Sequence, residues 1–398
     1  MALVAAAFLA LLWANSSWSE SYHQIWATVL ELRLGSQMLT MDLRHWLNEG
    51  LMTIFFLVVG LEIKREMVEG ELRDGRRRAL PVFAALGGMV VPGLLYLAFN
   101  YQGPWVQGWG IPMATDIALA VGIMSLAGNR VHPSLKLFLL ALAIVDDIGA
   151  ILVIGLFYAS QGDRRWLLLG GAVVLVTIWL RRRAVQSLLI YTLLGIGLWF
   201  SFIAAGIHGT LAGVVMGLLA PTKPYISPEM VDETELQMIG SVASVLDTHR
   251  LARSTVSVVE WLEARLHPWT SFVIVPLFGL ANAGISMSGD SLRGAFSSPV
   301  AWGVVVGLVV GKPIGILTFS AVAVRLGMAT RPEGANWKGV GAAGVLAGIG
   351  FTVSVFIAEL ALGPPALNEA KIAVLFASIV AGALGIFALT RSSADGSR

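Results

Sequence analysis

The sequence predicts an all-α polytopic membrane protein of about twelve transmembrane helices. The chain is 56% hydrophobic and only 13% charged, against roughly 25% charged residues in a soluble globular domain. Its mean hydropathy of +0.77 is too apolar for one solvated core. Apolar runs of about 20 residues, long enough to cross a hydrocarbon core of roughly 30 Å, recur along the chain. The 44 glycines suit helices packed closely within a membrane.

Taken in order, the spans read Ala2–Asn15, Leu47–Ile63, Ala79–Phe99, Ile111–Leu126, Pro133–Tyr158 and Trp166–Leu180. They continue with Ser187–Phe202, Ala205–Leu219, Pro268–Ala283, Val300–Val322, Gly339–Leu362 and Ala370–Leu389. The first stretch has no basic segment before its apolar core and many spans follow it, so it reads as a span rather than a signal peptide. Residues 1–389 then form a single transmembrane domain, and 390–398 a cytoplasmic tail.

Basic residues set the orientation, because cytoplasmic loops collect Lys and Arg. With both termini cytoplasmic, 20 of the 27 basic residues fall on the cytoplasmic face, 6 on the outer face, and Lys312 inside a span. An even number of spans fits that bias. In the first outer loop, Leu30, Leu32 and Leu34 alternate with Glu31 and Arg33 before Gly35-Ser36, which predicts a small β-hairpin over residues 30–43. Residues 222–266 form a long polar cytoplasmic insert carrying Glu229, Asp232, Glu233 and Glu235. Cysteine is absent, which excludes disulfides, thiol nucleophiles and thiolate metal sites. The basic residues are scattered over short loops and form no stripe for nucleic acid.

Charges inside spans need a reason, since one at the bilayer centre costs at least about 2.5–3.5 kcal/mol. Four stand out: Asp116, Asp146, Asp147 and Lys312. Asp146 and Asp147 lie near the middle of the fifth span. Neighbours on a helix sit about 100° apart, so one carboxylate can face a cavity while the other faces a partner helix. Low dielectric and mutual repulsion oppose full ionisation of the pair. Such a group takes up a proton or a hard monovalent cation through oxygen, and a single lysine cannot neutralise three acids. Asp116 follows Pro112 and Thr115, where a broken helix would set a hydroxyl and a carboxylate beside freed backbone groups. The same position also suits an N-cap aspartate at the membrane surface. Lys312 reads as a structural tether or as a competitor for a carboxylate that links cation arrival to proton release. The eleventh span carries Gly339, Gly341, Gly344, Gly348 and Gly350 and reads as a second interrupted helix. Interrupted fourth and eleventh spans hold equivalent places in two three-span units, spans 3–5 and 10–12, as expected of inverted repeats with a binding site between them.

Eight ordered stretches carry a family resemblance: Phe55–Glu66, Ile111–Ala118, Ala141–Ile151, Gly206–Val214, Leu266–Trp269, Phe278–Gly284, Gly311–Gly315 and Gly348–Ser354. Over nearly its whole length the chain resembles the NhaA-type sodium/proton antiporters, which are among the transporter folds built from inverted repeats. The resemblance implies an electrogenic, pH-regulated antiporter of the bacterial inner membrane, exporting Na+ or Li+ against protons by alternating access and using no cofactor. It implies Asp147 as the principal cation carboxylate, with Asp146 its partner and the one paired with Lys312. It implies Thr115 and Asp116 as completing the site. Glu62, Arg65, Glu66, Glu263 and His267 resemble a cytoplasmic pH-sensing funnel, and His208 a histidine that influences pH response. The Leu30–Leu43 hairpin resembles the family's homodimer contact.

Several positions depart from the pattern. The chain opens directly on its first span, where the family usually carries a polar extension. Glu49 stands where well-known members have Asp, and Glu260 where some have Lys. Glu359 is an additional acid late in the eleventh span. Three other functions fit an apolar chain with buried acids less well or differ from antiport in what they couple. An intramembrane aspartyl protease needs two acids facing one bond from separate helices, which adjacent acids on one helix do not supply. A passive cation channel would carry ions without coupled proton movement, and a symporter or an antiporter of a different solute would be separated by substrate competition.

Overall fold

A computed structural model describes residues 2–34, 37–70, 75–128, 131–159, 162–185, 187–222, 257–332 and 334–394. The insert acids Glu229, Asp232, Glu233 and Glu235 and the hairpin turn at Gly35-Ser36 lie outside the described residues.

The chain divides into two compact units. The first comprises Met1–Asn48, Glu71–Tyr158 and Pro276–Arg398. It opens with α1 (Ala2–Ala14), α2 (Ser19–Trp26) and the antiparallel strands β1 (Val29–Leu34) and β2 (Gln37–Asp42), paired from Val29 opposite Asp42 to Leu34 opposite Gln37. A short α3 (Leu43–Trp46) follows. The second unit, Glu49–Gly70 and Ala159–Val275, holds α4 (Met52–Val68). The first unit resumes with α5 (Gly75–Asn100), a 3-10 helix over Val106–Met113, α6 (Ile117–Leu126) and α7 (Pro133–Phe157). The second resumes with α8 (Trp166–Arg182), α9 (Leu188–Ala204), α10 (Thr210–Leu219) and α11 (Val258–Trp269). The remaining helices belong to the first unit: α12 (Val275–Asn282, but for its first residue), α13 (Gly289–Ser297), α14 (Pro299–Val306), α15 (Lys312–Arg325), α16 (Trp337–Ala347), α17 (Phe351–Ala361) and α18 (Ala366–Ala394).

Among the described residues, six helices are long and apolar enough to cross a membrane, or eight if each of two bent pairs counts as one span. The bent pairs are α1 with α2, at 115°, and α16 with α17, at 47°. Leu156, Leu168, Leu189 and Phe272 point outward at 68–78% exposure. So many projecting apolar side chains suit lipid rather than water.

Local chemistry explains several boundaries. α7 starts where Pro133 occupies the first turn and the His132 ring accepts from the Ser134 N–H. α11 starts in a capping box: Ser257 Oγ accepts from the Glu260 N–H at 3.1 Å, and Glu260 Oε2 accepts from the Ser257 N–H at 3.3 Å. Glu260 therefore serves as a cap, a use the sequence did not suggest. The eighth span, expected from Ala205, becomes helical only at Thr210. Gly206, at φ +79°, makes the preceding turn, a backbone region where a side chain is disfavoured. α1 has only 13 residues, about 20 Å of helix, and the chain then turns back into an amphipathic α2 that its composition did not announce.

Small residues bring helices together in each unit. In the first, α5 meets α15 at Gly87 and Gly315, where a Cβ on either would collide with the other's carbonyl. In the second, α4 meets α10, where a Cβ on Gly60 would lie 2.7 Å from the Val214 carbonyl oxygen.

Candidate functional site

Two helix breaks in the first unit face each other. Ala114–Asp116 run extended between the 3-10 helix and α6, just after Pro112, which has no N–H to continue a ladder. Gly348–Gly350 interrupt α16 and α17. Backbone groups freed inside a membrane must find partners, and here each break supplies the other's. The Asp116 N–H donates to the Ile349 carbonyl at 2.6 Å, and Thr115 Oγ1 to the Ala347 carbonyl at 3.0 Å. Ser354 Oγ donates to the Ile111 carbonyl at 2.8 Å.

Asp116 is the hub of this crossing. Its Oδ1 caps α6 by accepting from the Leu119 N–H at 3.0 Å. Its Oδ2 accepts from the Thr352 N–H at 3.1 Å and the Thr352 hydroxyl at 2.6 Å. The carboxylate thus sits at the N-termini of two half-helices, where their dipoles favour negative charge. Both of its oxygens are engaged. The surface-cap alternative is corrected in one respect: Asp116 is a cap, but a buried one, 2% exposed.

Asp146 and Asp147 lie buried in α7. Lys312, with no exposed surface, places Nζ 2.9 Å from Asp146 Oδ2 and also donates to the Met113 carbonyl in the first break. Thr115 Oγ1 reaches the same Asp146 oxygen at 2.7 Å. One hydroxyl hydrogen cannot serve Asp146 and Ala347 at once, so this contact is switchable. Asp146 Oδ1 is buried and has no hydrogen-bond partner among the described residues. Asp147 lies close enough to act on the Lys312 charge. Three buried acids against one buried lysine leave the group formally two negative charges in excess when all are ionised. Among the described residues no three acids or histidines converge as one ligand cage.

The backbone explains where Lys312 points. The Lys312 N–H bonds the Gly307 carbonyl five residues back, closing a wide π-type turn over Gly307–Gly311. Pro313 follows, and its ring crowds the carbonyl four residues before it. Widening the preceding turn relieves that clash. Such turns are frequent at functional sites.

In the second unit, five of the residues expected to sense pH gather together. Arg65 Nη1 lies 2.5 Å from Glu263 Oε1, and Arg65 Nη2 3.8 Å from Glu66 Oε1. Glu62 interacts electrostatically with Glu263, Arg65 and Glu66, and His267 with Glu263. Burial pushes the Glu263 carboxyl above its ordinary value, against the opposing pull of Arg65 and His267. His208 binds elsewhere: its Nδ1 is 2.9 Å from Glu49 Oε1, while Glu49 Oε2 accepts from the Gly209 N–H at 2.7 Å.

Sequence reasoning missed three partners at the breaks: the Thr352 side chain, the Ser354 hydroxyl and the Met113 carbonyl. Thr352 and Ser354 stand in the glycine-rich run of the eleventh span, where hydroxyls beside a helix break were a usable signal. A carbonyl's role leaves no mark in sequence.

A family model described as Na+/H+ antiporter 1 matches residues 1–389. The chain is 44% identical over 398 residues to a protein named Na(+)/H(+) antiporter NhaA from Rhodopirellula baltica, covering 97% of this chain and 90% of the relative. It is 45% identical over 393 residues to one named Na(+)/H(+) antiporter NhaA 2 from Sorangium cellulosum, covering 95% and 84%. In fold it resembles the solved sodium proton antiporter MjNhaP1 from Methanocaldococcus jannaschii, with a TM-score of 0.55, 12% identity and coverage of 98% of this chain and 92% of that one.

Proposed function

Because the chain belongs to the Na+/H+ antiporter 1 family, a family of secondary transporters rather than enzymes, we propose that it exports cytoplasmic sodium, or lithium, in exchange for external protons. The observation that carries this reading is the charge imbalance around the two breaks: Asp116, Asp146 and Asp147 are buried there with Lys312, while the other buried lysine, Lys371, pairs with Glu359. A buried carboxylate left without a counter-ion is costly. The group is therefore balanced by monovalent cations or protons, and the two compete for the same oxygens.

Within this reading Asp147 is the principal cation ligand. Asp146 offers its unpartnered Oδ1, and the Thr115 hydroxyl can turn from Asp146 to Ala347 as the ligand set changes. Asp116 contributes by holding the crossing together, since its own oxygens are occupied. Lys312 competes with the cation for Asp146, which couples sodium arrival to proton release. Unequal numbers of protons and sodium ions make the exchange electrogenic. The cluster of Glu62, Arg65, Glu66, Glu263 and His267, together with His208, tunes activity with pH.

The reading places twelve spans in a bacterial inner membrane with both termini cytoplasmic. Spans 3–5 and 10–12 are inverted repeats whose interrupted members alternate access to the site. The paired strands β1 and β2 join two protomers, and no resident cofactor takes part. Inverted vesicles carrying the protein test the core of it. Sodium added at neutral to alkaline pH collapses a proton gradient in the wild type, and Asp147→Asn abolishes that response. Undiminished sodium-driven proton movement in Asp147→Asn would overturn the site.

A further inference from the structure

α17 is held at both ends by a carboxylate. At its start, Thr352 donates twice to Asp116. Near its end, Glu359 meets Lys371 of α18, with Nζ 2.5 Å from Oε1 and side-chain exposures of only 13% and 6%. Thr352 and Glu359 are seven positions apart, two helical turns, so they share one face about 10 Å apart along the axis. The residues between them, Val353 to Ala358, are all buried. Arg44 acts electrostatically on Lys371 and on the Tyr22 hydroxyl, and Glu359 acts on the same hydroxyl.

A buried ion pair is a poor way to gain stability, because well-packed apolar residues of similar size do as well or better. Its close contact between two opposite point charges does something that apolar packing does not: it fixes one helix in register along another. α17 spans only 11 residues and is interrupted at Gly348–Gly350. Its covalent link to α16 therefore leaves its axial position and rotation loosely set.

We propose that Glu359 and Lys371 are positioning residues for transport: their ion pair fixes the far end of α17 so that its near end keeps Thr352 on Asp116 and holds the cation site at its working affinity. The proposal rests on the antiporter reading of the site. Its effect runs through Thr352, so losing the pair and losing the Thr352 hydroxyl damage the same contact.

The test uses purified full-length protein in proteoliposomes, reading sodium KM and maximal rate for wild type, Glu359→Gln, Thr352→Val and the double variant. Glu359→Gln is expected to raise sodium KM at least fivefold with the maximal rate within twofold. The double variant is expected to match Thr352→Val, because the hydroxyl is already gone. The charge swap Glu359→Lys with Lys371→Glu rebuilds the pair and is expected to recover most of the affinity. If Glu359→Gln does not fold, Glu359→Met with Lys371→Met preserves apolar packing and is expected to show the same rise in KM. An unchanged KM in the neutral variants, or effects that multiply independently in the double variant, would refute the proposal. Asp147→Asn assayed in parallel separates the two failures. If it stays active, the site reading falls; if it is silent while the Glu359 variants behave as wild type, only the role of the pair falls.

Discussion

Lys312 and Asp146 form a fully buried ion pair, with Nζ 2.9 Å from Oδ2 and neither side chain reaching solvent. Removing one member of such a pair leaves the other buried and uncompensated, a cost of about 3–5 kcal/mol. Lys312→Met is expected to lower the thermal unfolding temperature in detergent by several degrees. Adding Asp146→Asn is expected to restore much of the loss. A single variant as stable as wild type would show that the pair does not bear on folding.

Thr352→Val removes a hydroxyl from Asp116 and keeps the backbone N–H that also reaches it. A hydrogen bond to a charged group is worth about 1.5–3 kcal/mol. The variant is expected to fold, to bind sodium roughly tenfold more weakly, an effect of that size, and to be rescued by Thr352→Ser. Sodium titration of antiport rate measures this.

Pro313 is the cause assigned to the wide turn before Lys312. Pro313→Ala restores an N–H and removes the ring clash, so the turn can close to ordinary helix. Each residue of register rotates a side chain by about 100°, which carries Lys312 off Asp146. Helix content by circular dichroism is expected to hold while antiport falls at least tenfold. Full activity in this variant would mean that the turn has another cause.

Glu263 gives a pH signature in the second unit. Burial raises its folded carboxyl above the ordinary value. As pH rises from below that ordinary value towards the folded one, the folded chain holds the proton longer than the unfolded chain, so stability falls with rising pH. Below that window the contribution is fully present. Glu263→Gln removes the proton site, so the difference in unfolding temperature, wild type minus variant, is expected to decline as pH rises through the window and then level off. A flat difference would place the Glu263 carboxyl at its ordinary value.

Gly87→Ala and Gly315→Ala drive a methyl into the facing backbone of α15 or α5. Overpacking of this kind costs about 1–3 kcal/mol or more. Each variant is expected to show a lower unfolding temperature and reduced yield. Gly122→Ala, where a Cβ meets nothing within 4 Å, serves as the control.

The membrane character and the charges that matter are legible in the sequence. Hydropathy exposes long apolar runs, and a carboxylate within one has no ordinary reason to be there. Pro112 and the Gly348–Gly350 run marked both breaks for the same reason, since they interrupt a ladder that the bilayer otherwise enforces. Other features left no such trace. The turn-back of α2 depends on a bend between Ala14 and Ser19 that composition does not encode. The π-type turn beside Lys312 follows from Pro313 only once the helix is known to continue through it. Glu260 stood out in sequence only as a departure from the family pattern, whereas its capping of Ser257 depends on where a helix begins. The family resemblance set His208 apart from the Glu263 and His267 group, but its partner Glu49 became visible only in the fold.

The reciprocal bonding of the two breaks has a consequence for biosynthesis. Asp116 and its partner Thr352 are 236 residues apart in the chain. At about 5–20 residues per second, roughly 10 to 50 seconds of translation separate their emergence. Throughout that interval the first break has been made but the segment that completes its hydrogen bonding has not. The nascent protein must therefore shelter unsatisfied amides and a carboxylate in a water-accessible or chaperoned setting until its last spans arrive, and chains truncated before residue 349 should be recognised as defective by membrane quality control.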